Sequence, residues 1–143
     1  MNPNVLTTAE EITELLARTK RIAVLGIKTE AQAGEASFYV PKYLVDNGFD
    51  VVPVPVYYPD TSTILGRPVV RQLADIAPPV DMVNVFRRSK DLAAHVADIL
   101  KTKPHSVWLQ QGIKDAAFAD ELGKAGIKVV QDRCLMVELQ SRR

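Results

Sequence analysis

Cationic side chains stand at three places where apolar runs of this chain give out. Lys28 follows Ile22 to Gly26, Arg87 and Arg88 follow Val80 to Phe86, and Arg133 follows Ile127 to Val130. Around them lie small, apolar and amide residues: Gly26 and Ile27, Pro53 to Tyr57, Phe86, and Gln110, Gln111 and Gly112. None of these places offers a nucleophile beside a base, so catalysis through an activated side chain is not expected. His95 and His105 have no partners at metal-ligand spacing, so no metal site is expected either. Cations, amides and glycine without a nucleophile suit the grip on an extended polyanion.

What must position these groups is visible between Arg21 and Gly48. Ile22, Ala23, Val24 and Leu25 form an apolar run short enough for a strand buried on both faces, ended by Gly26. Ala36 opens a helical pattern in which Tyr39 with Tyr43 and Val40 with Leu44 are i, i+4 pairs, and Asn47-Gly48 supplies a stop. A strand, a glycine-started loop and a helix in this order bring unpaired amides to the helix N-terminus, where a phosphate fits. Pro41 is tolerated only near a helix start, which places that start at Ser37 or Phe38 and sets Ala36 to Tyr39 beside the donors.

The remaining chain repeats the alternation. Thr7 with Glu10, or Thr8 with Glu11, fits a capping box ahead of Ile12, Leu15 and Leu16, so an amphipathic helix over residues 1–20 is expected to pack on the unit 21–143. Phe49, Val51 and Val52 read as a second strand that stops near Pro53, followed by a stiff loop with Pro55, Tyr57, Tyr58 and Pro59. Ile64 to Pro79 reads as an irregular crossover. Met82 to Phe86 is a third strand, with Ser89 set to cap a helix from Lys90 to about Lys101. Ser106 to Gln110, a helix from about Asp115, and Ile127 to Val130 complete the pattern, leaving Gln131 to Leu139 as a tail. Strands alternating with helices imply an α/β chain with a mainly parallel, doubly wound sheet in a single domain.

Bulk properties narrow the function. At 143 residues with 47% hydrophobic and 24% charged residues, the chain can build a core without staples. A net charge of +1 argues against a large nucleic-acid footprint, so a bound anion is small and locally held. The single cysteine, Cys134, allows no internal disulfide, no run is long enough for a membrane span, and the N-terminus lacks signal-peptide character, so cytoplasmic residence is expected. The dinucleotide fingerprint is absent after the first strand, and the second ends in Val52-Pro53-Val54 without a ribose-binding carboxylate, which disfavours ordinary NAD binding.

Taken together, VLG at the first strand, SFYVPKYLVDNGFDVVPV, LGRPV with LADI, VDMVNVFRR, VWLQQGI and VVQDRC resemble the small stand-alone CoA-binding proteins. These are similar to the N-terminal domain of the succinyl-CoA synthetase alpha subunit. The resemblance runs from about Arg21 to Glu138 and implies a Rossmann-like fold that binds coenzyme A or an acyl-CoA. It sets Gly26, Ile27 and Lys28, with Ala36, Ser37 and Phe38, against the phosphates and ribose. Pro53 and Val54 would lie near the adenosine, Phe86, Arg87 and Arg88 would flank the ligand, and Gln110, Gln111 and Gly112 would face the pantetheine arm. A carrier or regulatory module without a reaction is the leading reading, with a homodimer or an unidentified protein partner left open. An NAD(P)-binding protein, or an acyl-CoA-dependent enzyme acting with a partner chain, is the alternative. Ligase chemistry is disfavoured because no phosphorylatable histidine in a glycine-rich loop precedes Arg143.

Overall fold

Alternating side chains along the first strand face two different cores. Ala23 and Leu25 join Val52, Val54, Val83, Val85, Val107, Leu109 and Val129 on one side of a sheet. Ile22 and Val24 join Val51, Met82, Trp108 and Val130 on the other. A strand buried on both faces needs helices on both, and the chain supplies them. A computed structural model describes residues 2–142; the termini of the two expected units, Met1 and Arg143, lie outside the described residues.

In chain order the elements are α1 (Ala9–Ala17), β1 (Arg21–Leu25), α2 (Ala36–Asp46), β2 (Asp50–Val54), β3 (Thr63–Ile64), β4 (Arg67–Pro68), β5 (Met82–Val85), α3 (Val96–Thr102), β6 (Ser106–Leu109), α4 (Ala116–Lys124), β7 (Lys128–Val130) and α5 (Leu135–Gln140). Five strands form one parallel sheet in the order β2-β1-β5-β6-β7. Apolar residues of α1, α2 and α5 cover the Ile22 side, and those of α3 and α4 cover the Ala23 side. The Rossmann-like, doubly wound reading therefore holds. The strand order reverses between β1 and β5, and a crevice opens at such a reversal.

Several local expectations needed correction, each for a physical reason. The capping box is Thr8 with Glu11, both reciprocal bonds being present. Strand β2 stops near Pro53, as expected, one residue beyond it. It runs to Val54 because β2 is an edge strand, where a missing amide costs no ladder bond, and the Pro53 carbonyl accepts from the Val70 amide at 2.9 Å. The stretch after Ile64 contains a hairpin of β3 and β4, turned by Leu65 and Gly66 at φ 55° and 72°. Two successive positive φ angles suit a two-residue hairpin. Ser89 caps nothing: a seven-residue 3-10 stretch, Ser89–His95, precedes α3, and the Ser89 hydroxyl accepts instead from the Lys114 amide at 3.2 Å. The tail is helical from Leu135 and pinned by Trp108, whose Nε1 donates to the Arg133 carbonyl at 2.8 Å.

Candidate functional site

At the crevice, the chain leaving β1 touches the chain leaving β5. Gly26 has φ +87°, and a Cβ built on it would stand 2.3 Å from the Phe86 carbonyl oxygen and 3.3 Å from Cδ of Arg87. Only glycine allows both the conformation and the approach. The Phe86 amide donates to the Leu25 carbonyl and the Gly26 amide to that of Val54, both at 2.9 Å, which fixes this junction from either side.

Helix α2 then presents its head to the crevice. Its N-cap is Glu35, without a side-chain cap, so the helix begins at Ala36, ahead of the Ser37 or Phe38 start expected from Pro41. Pro41 thus lies inside the helix and leaves the Ser37 carbonyl without its helical donor. The amide of Lys28 fills that gap at 3.1 Å and ties the loop after β1 to the helix. The amides of Phe38 and Tyr39 both go to the Glu35 carbonyl at 2.9 Å, whereas those of Ala36 and Ser37 find no acceptor among the described residues. Two free donors at a helix head, with the positive end of its dipole behind them, attract an anion.

A cleft of about 480 Å³ spreads from this point, lined by Lys28, Glu35, Ala36, Ser37, Phe86, Arg87, Arg88, Ser89, Gln111, Gly112 and Ile113. Its volume suits part of a nucleotide-sized ligand. The Lys28 ammonium pairs with the Glu35 carboxylate, and that hydrogen bond raises its pKa. Arg87 is largely covered, and its Nε donates to Nε2 of His95 at 3.2 Å. Arg88, 70% exposed in its side chain, stands on the rim with Nε on Asp91 at 3.0 Å. Burial first, and then the Arg87 charge, hold the His95 ring below its ordinary range. The lining carries three cations against one carboxylate. A separate hollow at the amino ends of the strands, between Glu11, Glu14, Arg18, His105 and Lys128, mixes charges of both signs.

Eight of the residues named from the sequence meet in this cleft: Lys28, Ala36, Ser37, Phe86, Arg87, Arg88, Gln111 and Gly112. The others do not line it. Gly26 works beneath it as a contact residue, and Ile27 and Phe38 are buried in the core on the Ile22 side. Pro53 and Val54 are buried within β2. Gln110 faces the core, where Oε1 accepts from Nδ2 of Asn84 at 3.1 Å and from the Leu135 amide at 3.0 Å. Gly112 spends its own amide on Asp132, at 2.6 Å from Oδ1.

Two features, Glu35 as a rival for Lys28 and Arg71 as a clamp on a loop, escaped the sequence reading. Glu35 competes for Lys28, although a carboxylate beside a helix start is itself favoured by the dipole. Tyr57 and Tyr58, edge-on to each other at 6.3 Å, stand near Lys28 in the loop that the sequence already placed at this end of the sheet. Their loop is held also by Arg71, which donates to the carbonyls of Tyr57, Tyr58, Pro59 and Thr61 at 2.8 to 3.3 Å. No local pattern marks an arginine ten to fourteen residues downstream as the clamp of a loop.

Comparisons with known proteins agree with this geometry. Residues 20–140 match the family model described as CoA binding domain. Protein YneT of Bacillus subtilis (strain 168) is 36% identical over 127 residues, covering 89% of this chain and 90% of that protein. The solved structure of cell-free ID.343 from Thermus thermophilus has a TM-score of 0.85 at 38% identity, covering 94% of this chain and 98% of the other. A protein from Pyrococcus horikoshii OT3 has a TM-score of 0.84 at 29% identity, covering 99% and 95%. With its reversal-point cleft, its free helix amides and a match across most of its length, the chain belongs to the CoA-binding domain family.

Proposed function

We propose that this protein binds coenzyme A, or an acyl-CoA, in the cytosol as a carrier or regulatory module and performs no reaction on it. The observation that carries the reading is the pair of free amides of Ala36 and Ser37 facing a cleft whose rim holds Lys28, Arg87 and Arg88. The diphosphate rests on the two amides, Lys28 exchanges Glu35 for a phosphate oxygen, and the adenosine turns toward the Tyr57-Tyr58 loop. The pantetheine arm runs along Gln111 and Ile113, an amide and an apolar side chain that suit its alternating character.

Calorimetric titration and thermal shift with CoA, dephospho-CoA and NADH test this. CoA at about 100 times its dissociation constant adds roughly 2.7 kcal/mol, several degrees of melting temperature for a domain of this size. Lys28→Ala weakens CoA by about 1.5–3 kcal/mol through loss of a charge-assisted bond. Glu35→Gln tightens it by up to about fivefold, since an exposed ion pair worth about 1 kcal/mol no longer competes. A response to NADH alone rejects the reading, and titrations unchanged by both variants remove this cleft from it.

A further inference from the structure

We infer that His95 is a positioning residue for the anion site: its neutral ring holds the Arg87 guanidinium in the cleft, and a proton added to that ring withdraws Arg87 from the ligand. The inference rests on the CoA reading above. Arginine has five N–H donors and no acceptor, so the imidazole nitrogen 3.2 Å from its Nε must carry a lone pair. The ring proton then sits on Nδ1, and the ring is uncharged.

Three contacts route the Arg87 side chain. Gly26 leaves the space its Cδ occupies, Asp91 stands 3.9 Å from Nη2, and His95 takes Nε. Asp91 lies closer to Arg88, at 3.0 Å, which leaves His95 as the nearer anchor of Arg87. The 3-10 stretch is what delivers the ring. With about three residues per turn, Ser89, Leu92 and His95 fall on one side. Leu92 is buried and Ser89 bonds to the Lys114 amide, so His95 is turned toward the arginine. An α-helix from Ser89 would have rotated it away by about 120° over the same six steps.

The charged groups facing His95 are Arg87 from the loop after β5, Asp91 of its own stretch and Asp98 of α3. Asp98 is occupied by the amides of Leu73 and Ala74, at 2.7 and 2.9 Å. A protonated ring would lose its acceptor and face a second cation at hydrogen-bond distance. Arg87 then leaves.

The test is titration of dephospho-CoA between pH 5 and 8. Its diphosphate stays ionised there, whereas a phosphate monoester titrates near 6 and would blur the result. The wild type binds constantly above about pH 7 and loses about tenfold on acidification, the worth of one charge-assisted bond. His95→Gln, which keeps an acceptor at every pH, binds like the wild type at pH 8 and shows no slope. A flat wild-type profile, tightening in acid, or a slope kept in His95→Gln overturns the inference. If neither CoA nor dephospho-CoA binds at any pH, the CoA reading itself has failed. The ring NMR titration of the ligand-free protein then decides: Arg87→Ala must raise the His95 midpoint, and an unmoved midpoint ends the inference.

Discussion

Gly26 shows how one residue can serve a site by letting a second stretch of chain pass close to it. Its hydrogen atom occupies the volume where a methyl group would meet the Phe86 carbonyl at 2.3 Å, and its φ of +87° already disfavours an L side chain. Gly26→Ala should therefore cost about 2–5 kcal/mol, the sum of a left-handed backbone and a forced shift of packed neighbours. Urea unfolding measures it, and a loss under about 1 kcal/mol, the level of an ordinary surface change, would mean that the two chains separate easily there. From the sequence Gly26 reads as the start of a phosphate loop. The neighbour that makes glycine necessary lies 60 residues away, and only the sheet order brings it near. Lys28 and Arg87 are legible as cations at strand tips, but their partners Glu35 and His95 are not. Those pairings depend on the turn of α2 and on a 3-10 stretch that local propensity did not indicate.

Among the elements, β1 and β5 are joined at both ends by different chemistry. At the crevice they are joined through Gly26 and Phe86. At the opposite end the Asp81 carboxylate accepts from the amides of Lys20 and Arg21, both at 2.9 Å. Burial pushes that carboxyl up, but the bonds from Arg21 and Lys20 outweigh it and leave it below its ordinary value of 3.8. A group whose folded-state pKa is depressed stabilises fully above its unfolded value and loses that contribution as pH falls through the folded value. Asp81→Asn should thus cost about 1–3 kcal/mol at pH 7, the worth of hydrogen bonds to a charged acceptor. The gap between the two proteins should begin to narrow as pH falls below about 4, as followed by urea midpoints across pH 3 to 7. A gap of constant size from pH 7 to pH 3 would assign the cost to packing. Element types were largely readable, because buried parallel strands are apolar runs and α1 and α4 carry caps at Thr8 and Asp115. A boundary was misread where a tertiary donor replaced the amide a proline lacks: Pro41 stands inside α2 because the Lys28 amide serves the Ser37 carbonyl.

For the whole molecule, a parallel sheet with two helical layers leaves only its outer strands to protect. The β2 edge is met by Val70 and carries Pro53. On the β7 edge, Leu6 donates to the Val129 carbonyl and Val129 to that of Asn4, both at 2.8 Å. Removing the residues before Thr7 should cost about 3–5 kcal/mol, two ladder bonds plus the burial of Leu6. It should also promote self-association through the bared strand, seen as a lower melting temperature together with light scattering. Unchanged melting would show that the arm is dispensable. The layered architecture was legible because it follows from alternation alone; the arm was not, since three residues make too short a pattern to read. Among the described residues no helix is long and apolar enough to cross a membrane. The Lys28 amide clasped by the Ser37 carbonyl bears on the energetics of recognition. The loop's shape is settled by a proline-made vacancy in the neighbouring helix before any guest arrives. For the diphosphate proposed above, docking would then require little immobilisation of backbone, and more of the contact energy would survive as affinity.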